Sequence, residues 1–219
     1  MHLRDWCAVA LALASLTAAT WSWRRENGRS VATIKAVQLR DDEHRLGTRD
    51  AQAVLLVFSD FECPFCGRFA RDVMPQIDRE FLETGRAQLI FRHFPLTSIH
   101  PFAARAAEAA ECAGTEGRFW QMHDLLFTNQ SALDEVGLRS SASVAGLDSG
   151  RFDRCMSGAT AKRLADDTAT ASELALRSTP ALLVGRLGVD LKMEVVGYLR
   201  GLPAMEDVRK LMDDLERRR

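Results

Sequence analysis

The sequence lacks an excess of either charge, and it lacks repeats. Its 219 residues include 29 Lys and Arg against 30 Asp and Glu, a formal net charge of −1. Binding to nucleic acid or to acidic lipid through surface charge normally requires a basic excess or a basic patch, so this balance argues against both partners. No internal repeat and no low-complexity tract is present, which argues against a repeat architecture.

Metal-binding patterns are also scarce. The chain has one Cys-x-x-Cys, at Cys63 and Cys66, and neither a second one nor a His-x-x-x-His. A zinc ion on these two cysteines would need two further ligands at tetrahedral spacing. We therefore predict no metal and interpret His93, His100 and His123 as residues with ordinary polar partners.

The N-terminus carries an uncharged stretch. Residues 6–23 contain no charged side chain and follow Arg4, which is typical of an export signal or of a membrane anchor. Small residues at 17–19 would suit cleavage, whereas Trp21 and Trp23 before Arg24 suit a retained anchor. The sequence leaves both alternatives open, and both place the protein outside the cytosol.

Cys63-Pro64-Phe65-Cys66 lies between the apolar run 53–58 and a helical pattern, which predicts two thiols at a strand-to-helix junction. A thiolate at a helix N-terminus faces unpaired N–H groups, which lower its pKa and make it a nucleophile at neutral pH. The second thiol, one turn away, can attack a mixed disulfide. The pattern indicates thiol–disulfide exchange with Cys63 and Cys66 as catalytic residues.

Two more cysteines, Cys112 and Cys155, lie in helical patterns. Cys7 lies in the uncharged segment 6–23 and is interpreted as an apolar filler there; the other four of the five cysteines allow three pairings in an exported chain. The close spacing of Cys63 and Cys66 favours that pair and leaves Cys112 with Cys155 as a candidate structural disulfide. The alternative is two buried free thiols.

The pattern of elements predicts an α/β protein with a central mixed sheet, flanked by helices and interrupted by an all-helical insertion. Alternation predicts a strand at 31–37, and residues 41–50 are interpreted as a charged connector. Strands are predicted at 53–58 and 87–92, with a helix at 67–83 between them in the chain. This strand–helix–strand order predicts that the two strands run parallel, and Pro75 should kink the helix. The predicted parts are the N-terminal segment 1–23, the lead-in strand and connector 24–50, a first core half 51–97, a helical insertion 98–176, and a second core half 177–219.

Four ordered segments resemble the DsbA-like thiol–disulfide oxidoreductases of bacterial envelopes, which belong to the thioredoxin-fold superfamily. The segments are Phe58-Ser59-Asp60-Phe61-Glu62-Cys63-Pro64-Phe65-Cys66, residues 91–96, residues 117–127 and Ser178-Thr179-Pro180-Ala181. The resemblance covers about residues 31–216 and implies a thioredoxin-like fold.

The resemblance also implies residue roles. Cys63 would be the exposed nucleophile and Cys66 the buried resolving thiol. Pro180 would follow a cis peptide bond, so that Thr179 could pair with an extended substrate beside Pro64 and Phe65. The cysteine pair would need no cofactor. Exported cysteine-containing proteins would be substrates, a membrane or soluble redox partner would recharge the pair, and the protein would act as a periplasmic or envelope monomer.

The sequence departs from the best-known oxidases of this family at two positions. Phe65 replaces a histidine that helps to hold a thiolate, so we expect a less depressed Cys63 pKa and a less oxidising disulfide. Val57 stands where relatives often carry a buried proton-relaying carboxylate. Asp60 and Glu62 are nearby, but strand alternation predicts that they face solvent. An oxidase is the leading prediction; a reductase or isomerase, and a non-catalytic binding module with a structural disulfide, are the alternatives.

Overall fold

The computed structural model describes residues 36–218, so the predicted signal or anchor at 6–23 and most of the strand predicted at 31–37 lie outside the described residues. The strands are β1 (Ala36–Gln38), β2 (His44–Gly47), β3 (Ala53–Ser59), β4 (Ala87–His93), β5 (Ala181–Leu187) and β6 (Lys192–Arg200). The α-helices are α1 (Pro64–Arg68), α2 (Met74–Ile77), α3 (Ala103–Thr115), α4 (Phe119–Thr128), α5 (Glu135–Val144), α6 (Ser149–Cys155), α7 (Ala161–Glu173) and α8 (Met205–Arg217). None of the helices within residues 36–218 combines the length and apolarity needed to cross a membrane.

The six strands form one mixed sheet in the order β1-β6-β5-β3-β4-β2. Strands β3 and β4 run parallel, and the other neighbours are antiparallel. Every residue of β3 and β4 is buried, as expected for central strands covered on both faces. The α/β fold class and its mixed sheet, predicted from the sequence, are thereby confirmed.

Residues 64–82 form one continuous helical run behind β3. A π-helical turn, Phe69–Val73, lies between α1 and α2, and a second one, Asp78–Leu82, follows α2. Pro75 lacks the N–H that would continue the α-helical ladder, and the first π-helical turn directly precedes α2, where Pro75 lies. Apolar side chains along the run, Phe69, Val73, Ile77 and Phe81, are buried against the sheet, as their spacing predicts.

The connector predicted at 41–50 is wrong in part, because β2 lies within it and pairs with β4 as an edge strand. Helices α3 to α7 all lie between β4 and β5 in the chain. They belong to the same compact unit as the sheet.

A buried charge cluster joins the helical insertion to the sheet. Arg92 on β4 is 1% exposed and donates to Glu43, which is also buried. Asp167 on α7 accepts from the His93 backbone N–H at 2.9 Å and from Arg40 at 2.6 Å. Each buried charge thus has an opposite partner, which offsets the cost of removing it from water.

Candidate active site

The sheet topology brings two distant loops together at one edge. Phe58, near the end of β3, pairs with Ala181, the first residue of antiparallel β5. The chain that leaves β3 toward Cys63 therefore lies beside the chain that enters β5 through Thr179 and Pro180. The Cys63 sulfur lies 3.6 Å from the Thr179 carbonyl oxygen, although 116 residues separate the two in sequence.

Cys63 caps the helical run. Its backbone is extended, with φ −70° and ψ 121°, and its carbonyl accepts the first helical hydrogen bond from the Gly67 N–H at 3.1 Å. The N–H groups of Phe65 and Cys66 then point back at the Cys63 sulfur. This is the geometry in which a helix N-terminus stabilises a thiolate.

The two thiols are unbonded in this structure and differ strongly in acidity. A hydrogen bond from the Cys66 thiol, aided by Thr179 and by the Phe65 and Cys66 N–H groups, lowers the pKa of Cys63 to about 5 despite partial desolvation. Burial raises the pKa of Cys66 well above its usual range, and the neighbouring Cys63 thiolate adds to this effect. At neutral pH the pair therefore consists of a thiolate at Cys63 and a thiol at Cys66.

The expected exposure of Cys63 is wrong: the residue is only 4% exposed. The sulfur lies under the Thr179 carbonyl and beside Cys66, which is fully buried. Cys66 is buried, as the resemblance implies.

The other residues implied as substrate-binding adjoin Cys63 in the chain or through the Thr179 carbonyl. The Thr179-Pro180 peptide bond is cis, and both residues are buried. Pro64 is exposed, and Phe65 is 53% exposed. Among residues 36–218 the buried Thr179 hydroxyl has no hydrogen-bond partner, and Thr179 meets the Cys63 sulfur through its backbone carbonyl.

Asp60 is buried, at 2% exposure, and the prediction that it faces solvent is wrong. Strand alternation stops at Ser59, and beyond it the Asp60 carboxylate turns inward to accept from Glu62 N, Leu96 N and the His100 ring, each at 2.8 Å. The Asp60 backbone N–H donates to the Cys66 sulfur at 3.4 Å. Glu62 is half-buried and accepts from the Phe102 N–H at 2.6 Å.

Gln130 also belongs to this site, and no sequence pattern indicated it. Gln130 follows α4 in the helical insertion, and its amide nitrogen donates to the carbonyls of Phe61 and Cys63 at 2.8 and 2.9 Å. Its role depends on tertiary contact, so no local pattern could predict it.

Cys112 and Cys155 form a disulfide between α3 and α6, with Cα atoms 5.7 Å apart. It lies within the helical insertion and joins two helices of that part. The pair therefore differs from Cys63 and Cys66, which face the sheet edge.

The histidines have carboxylate partners rather than metal-ligand neighbours. Each of three pairs has a nitrogen–oxygen distance of 2.8 Å: His93 with Glu111, His100 with Asp60, and His123 with Asp124. In the part of the chain that the structure covers, no group of three His, Cys, Asp or Glu side chains could hold a metal ion. The expected lack of a cofactor stays a prediction.

Comparison with known proteins agrees with this fold. The family model described as "Thioredoxin" matches residues 40–197. The structure is similar to that of Wolbachia pipientis alpha-DsbA1, with a TM-score of 0.70 and 19% identity, covering 83% of this chain and 94% of that one. It is also similar to oxidised BdbD from Bacillus subtilis, with a TM-score of 0.69 and 18% identity, covering 84% and 97%.

The curated relatives are longer proteins. The Na(+)/H(+) antiporter NhaA 1 of Salinispora arenicola is 37% identical over 145 residues, which are 66% of this chain and 22% of that protein. The protein of the same name in Mycolicibacterium vanbaalenii is 35% identical over 167 residues, which are 75% of this chain and 27% of that protein. The chain thus spans only about a quarter of the length of these relatives.

Proposed function

The chain belongs to the thioredoxin family, and from that membership we propose that it is a thiol–disulfide oxidoreductase that acts through Cys63 and Cys66. The observation that carries the proposal is the acidity difference within one helical turn: the pKa of Cys63 is lowered to about 5, whereas that of buried Cys66 is raised. A purely structural disulfide needs no such difference, but an exchange reaction does, because it requires one good leaving group and one thiol held in reserve.

We propose that the net direction is oxidation of substrate thiols. A substrate thiolate attacks the Cys63 sulfur of the oxidised pair, the Cys63–Cys66 bond breaks, and Cys66 leaves with the electron pair and takes up a proton. A second substrate thiolate then attacks the substrate sulfur of the mixed disulfide and releases Cys63 as a thiolate. The substrate loses two electrons and forms a disulfide, and the cysteine pair gains those electrons.

The low pKa of Cys63 supports this direction. A stable thiolate is a good leaving group in the last step, and it stabilises the reduced pair relative to the disulfide. A redox partner, membrane-bound or soluble, must then remove the two electrons. The alternative direction, as a reductase or isomerase, is favoured by Phe65, which supplies neither charge nor a hydrogen bond to the thiolate.

The proposed substrates are exported proteins with cysteines, bound in extended form along Thr179 and Pro180 with contacts to Pro64 and Phe65. The envelope location and monomeric state are further parts of the proposal, and the uncharged segment 6–23 supports the location. Sodium–proton exchange is not carried over from the antiporter relatives, because the matched stretch is 22 to 27% of their length.

Single-cysteine variants of the full chain test the proposal. With a reduced two-cysteine peptide as substrate, the oxidised wild-type protein should form the peptide disulfide at a rate at least about a hundredfold above the uncatalysed rate. Cys63→Ser should abolish this activity. Presented with an oxidised peptide, Cys66→Ser should accumulate a mixed disulfide through Cys63, because the resolving thiol is missing. Full exchange activity in Cys63→Ser would refute the proposal.

A further inference from the structure

Gln130 connects the helical insertion to the turn that carries Cys63. It lies in the loop between α4 and α5, and it is half-buried. Its Nε2 donates one hydrogen bond to Phe61 O at 2.8 Å and one to Cys63 O at 2.9 Å. A side-chain amide nitrogen carries two hydrogens, so both donors are used on the two carbonyls.

Gly67 provides the space for this contact. A Cβ atom at position 67 would lie 2.1 Å from Gln130 Oε1 and 2.8 Å from its Cδ, far inside van der Waals distance. Glycine is unfavourable inside a helix compared with alanine, yet it occupies a buried position of α1. The small residue at 67 and the long amide at 130 thus fit each other.

The two carbonyls that Gln130 binds lie in the turn that leads into the helix N-terminus. Cys63 is the helix cap, and the N–H groups that face its sulfur belong to Phe65 and Cys66, in the first turn after it. The Cys63–Pro64 peptide group directly precedes the peptide groups that carry these two donors, so a shift of the turn at Phe61 and Cys63 would move the Cys63 sulfur relative to them. Without Gln130, the Cys63 carbonyl would keep only the hydrogen bond from Gly67 N.

We propose that Gln130 is a positioning residue for Cys63, which fixes the redox turn from the helical insertion through the Phe61 and Cys63 carbonyls, in space that Gly67 leaves free. A role of Gln130 in catalysis rests on the proposed function, but its effect on the acidity of the Cys63 thiol can be measured separately. Through Gln130, the helical insertion would thus influence the acidity of Cys63.

Two charged side chains adjoin the turn and have other partners. Glu62 accepts from Phe102 N at 2.6 Å, and Arg71 donates to the Phe127 carbonyl at 2.9 Å. The Arg71 guanidinium also passes within 2.9 Å of the Cβ position at 67. The Gln130 variants change neither Glu62 nor Arg71. If they shift the alkylation midpoint of Cys63 as the Gly67 variant does, the shift comes from the amide and not from a contact between position 67 and Arg71.

The test is a double-variant cycle on the full chain. Gln130→Ala removes the amide, and Gly67→Ala pushes the amide away. Gln130→Glu keeps the shape but replaces the donor by an acceptor and adds a negative charge, so its shift is compared with that of the uncharged Gln130→Ala. Gln121→Ala, at an exposed position of α4, is the matched control. The readout is the pH midpoint of Cys63 alkylation in the reduced protein, with a melting curve for each variant.

We expect the midpoint to rise by about half to one pH unit in Gln130→Glu, Gln130→Ala and Gly67→Ala, and to stay unchanged in Gln121→Ala. The double variant Gly67→Ala/Gln130→Ala should match Gln130→Ala alone, because the methyl group added at position 67 then meets no amide and only the flexible end of the Arg71 side chain. An unchanged midpoint in folded Gln130→Glu or Gln130→Ala, or additive shifts in the double variant, would overturn the inference.

The two proposals can fail independently. If the midpoints shift as expected but the wild-type protein shows no exchange, the proposed function fails and the positioning role stands. If exchange occurs but the midpoints do not move, the positioning role fails alone.

Discussion

At the residue scale, the two cysteines lie within one turn of helix but have different surroundings. Cys63 precedes the helix, and the first N–H groups of the helix face its sulfur, while Cys66 lies within the helix and is fully buried. Desolvation disfavours a charged sulfur at Cys66, and hydrogen bonds favour one at Cys63. The same backbone therefore produces a thiolate and a protected thiol within one turn.

This asymmetry predicts selective labelling. In reduced wild-type protein, alkylation of Cys63 should follow a titration with its midpoint near pH 5, because the reactive thiolate forms above that pH and is lost below it. Cys66 should remain unlabelled through neutral pH, because its pKa is raised by burial. Pulsed alkylation with mass spectrometry of the Cys63 and Cys66 peptides measures both. A Cys63 midpoint near about 8.5, the value of a free cysteine, would contradict the account.

Residue roles could be predicted where local sequence determines them. The position of Cys63 after an apolar strand sufficed to place it at the helix start. The orientation of Asp60 could not be predicted, because alternation holds only within a strand and the carboxylate turns inward to meet Leu96 and His100 from the next loop. Gln130 was missed because its partners are 69 and 67 residues away.

At the element scale, the apolar strands and amphipathic helices followed from periodicity, and the short polar elements did not. Strand β3 was predictable because all its residues are buried. Strand β2 is four residues long and half-exposed, and it is a strand only because β4 lies beside it.

The disulfide between α3 and α6 gives a prediction at this scale. It closes a loop with a sequence separation of 43, so Cys112→Ala/Cys155→Ala should lower the free energy of unfolding by about 2 to 4 kcal/mol. Urea unfolding of the oxidised protein measures this value, with Ser140→Ala, an exposed position of α5, as the control. Exchange activity should persist while the variant is folded. Loss of exchange in a folded variant would show that this disulfide takes part in the chemistry.

At the scale of the whole molecule, the fold brings three parts of the chain together around the Cys63–Cys66 pair at one sheet edge. The turn after β3 supplies Cys63, the segment before β5 supplies Thr179, and the helical insertion supplies Gln130.

The low pKa of Cys63 makes the reduction potential of the pair depend on pH. Between the two thiol pKa values, reduction of the disulfide takes up one proton for two electrons, and below about pH 5 it takes up two.

The most direct test of this account is the reduction potential of the Cys63–Cys66 pair in the full-length protein, measured in glutathione buffers at several pH values. We predict a reversible transition between about −270 and −120 mV, the range from thioredoxin to DsbA, that falls by about 30 mV per pH unit near neutrality. A potential in the upper part of that range supports the oxidase direction. A pair that fails to equilibrate with glutathione, as a buried structural disulfide would, contradicts the account.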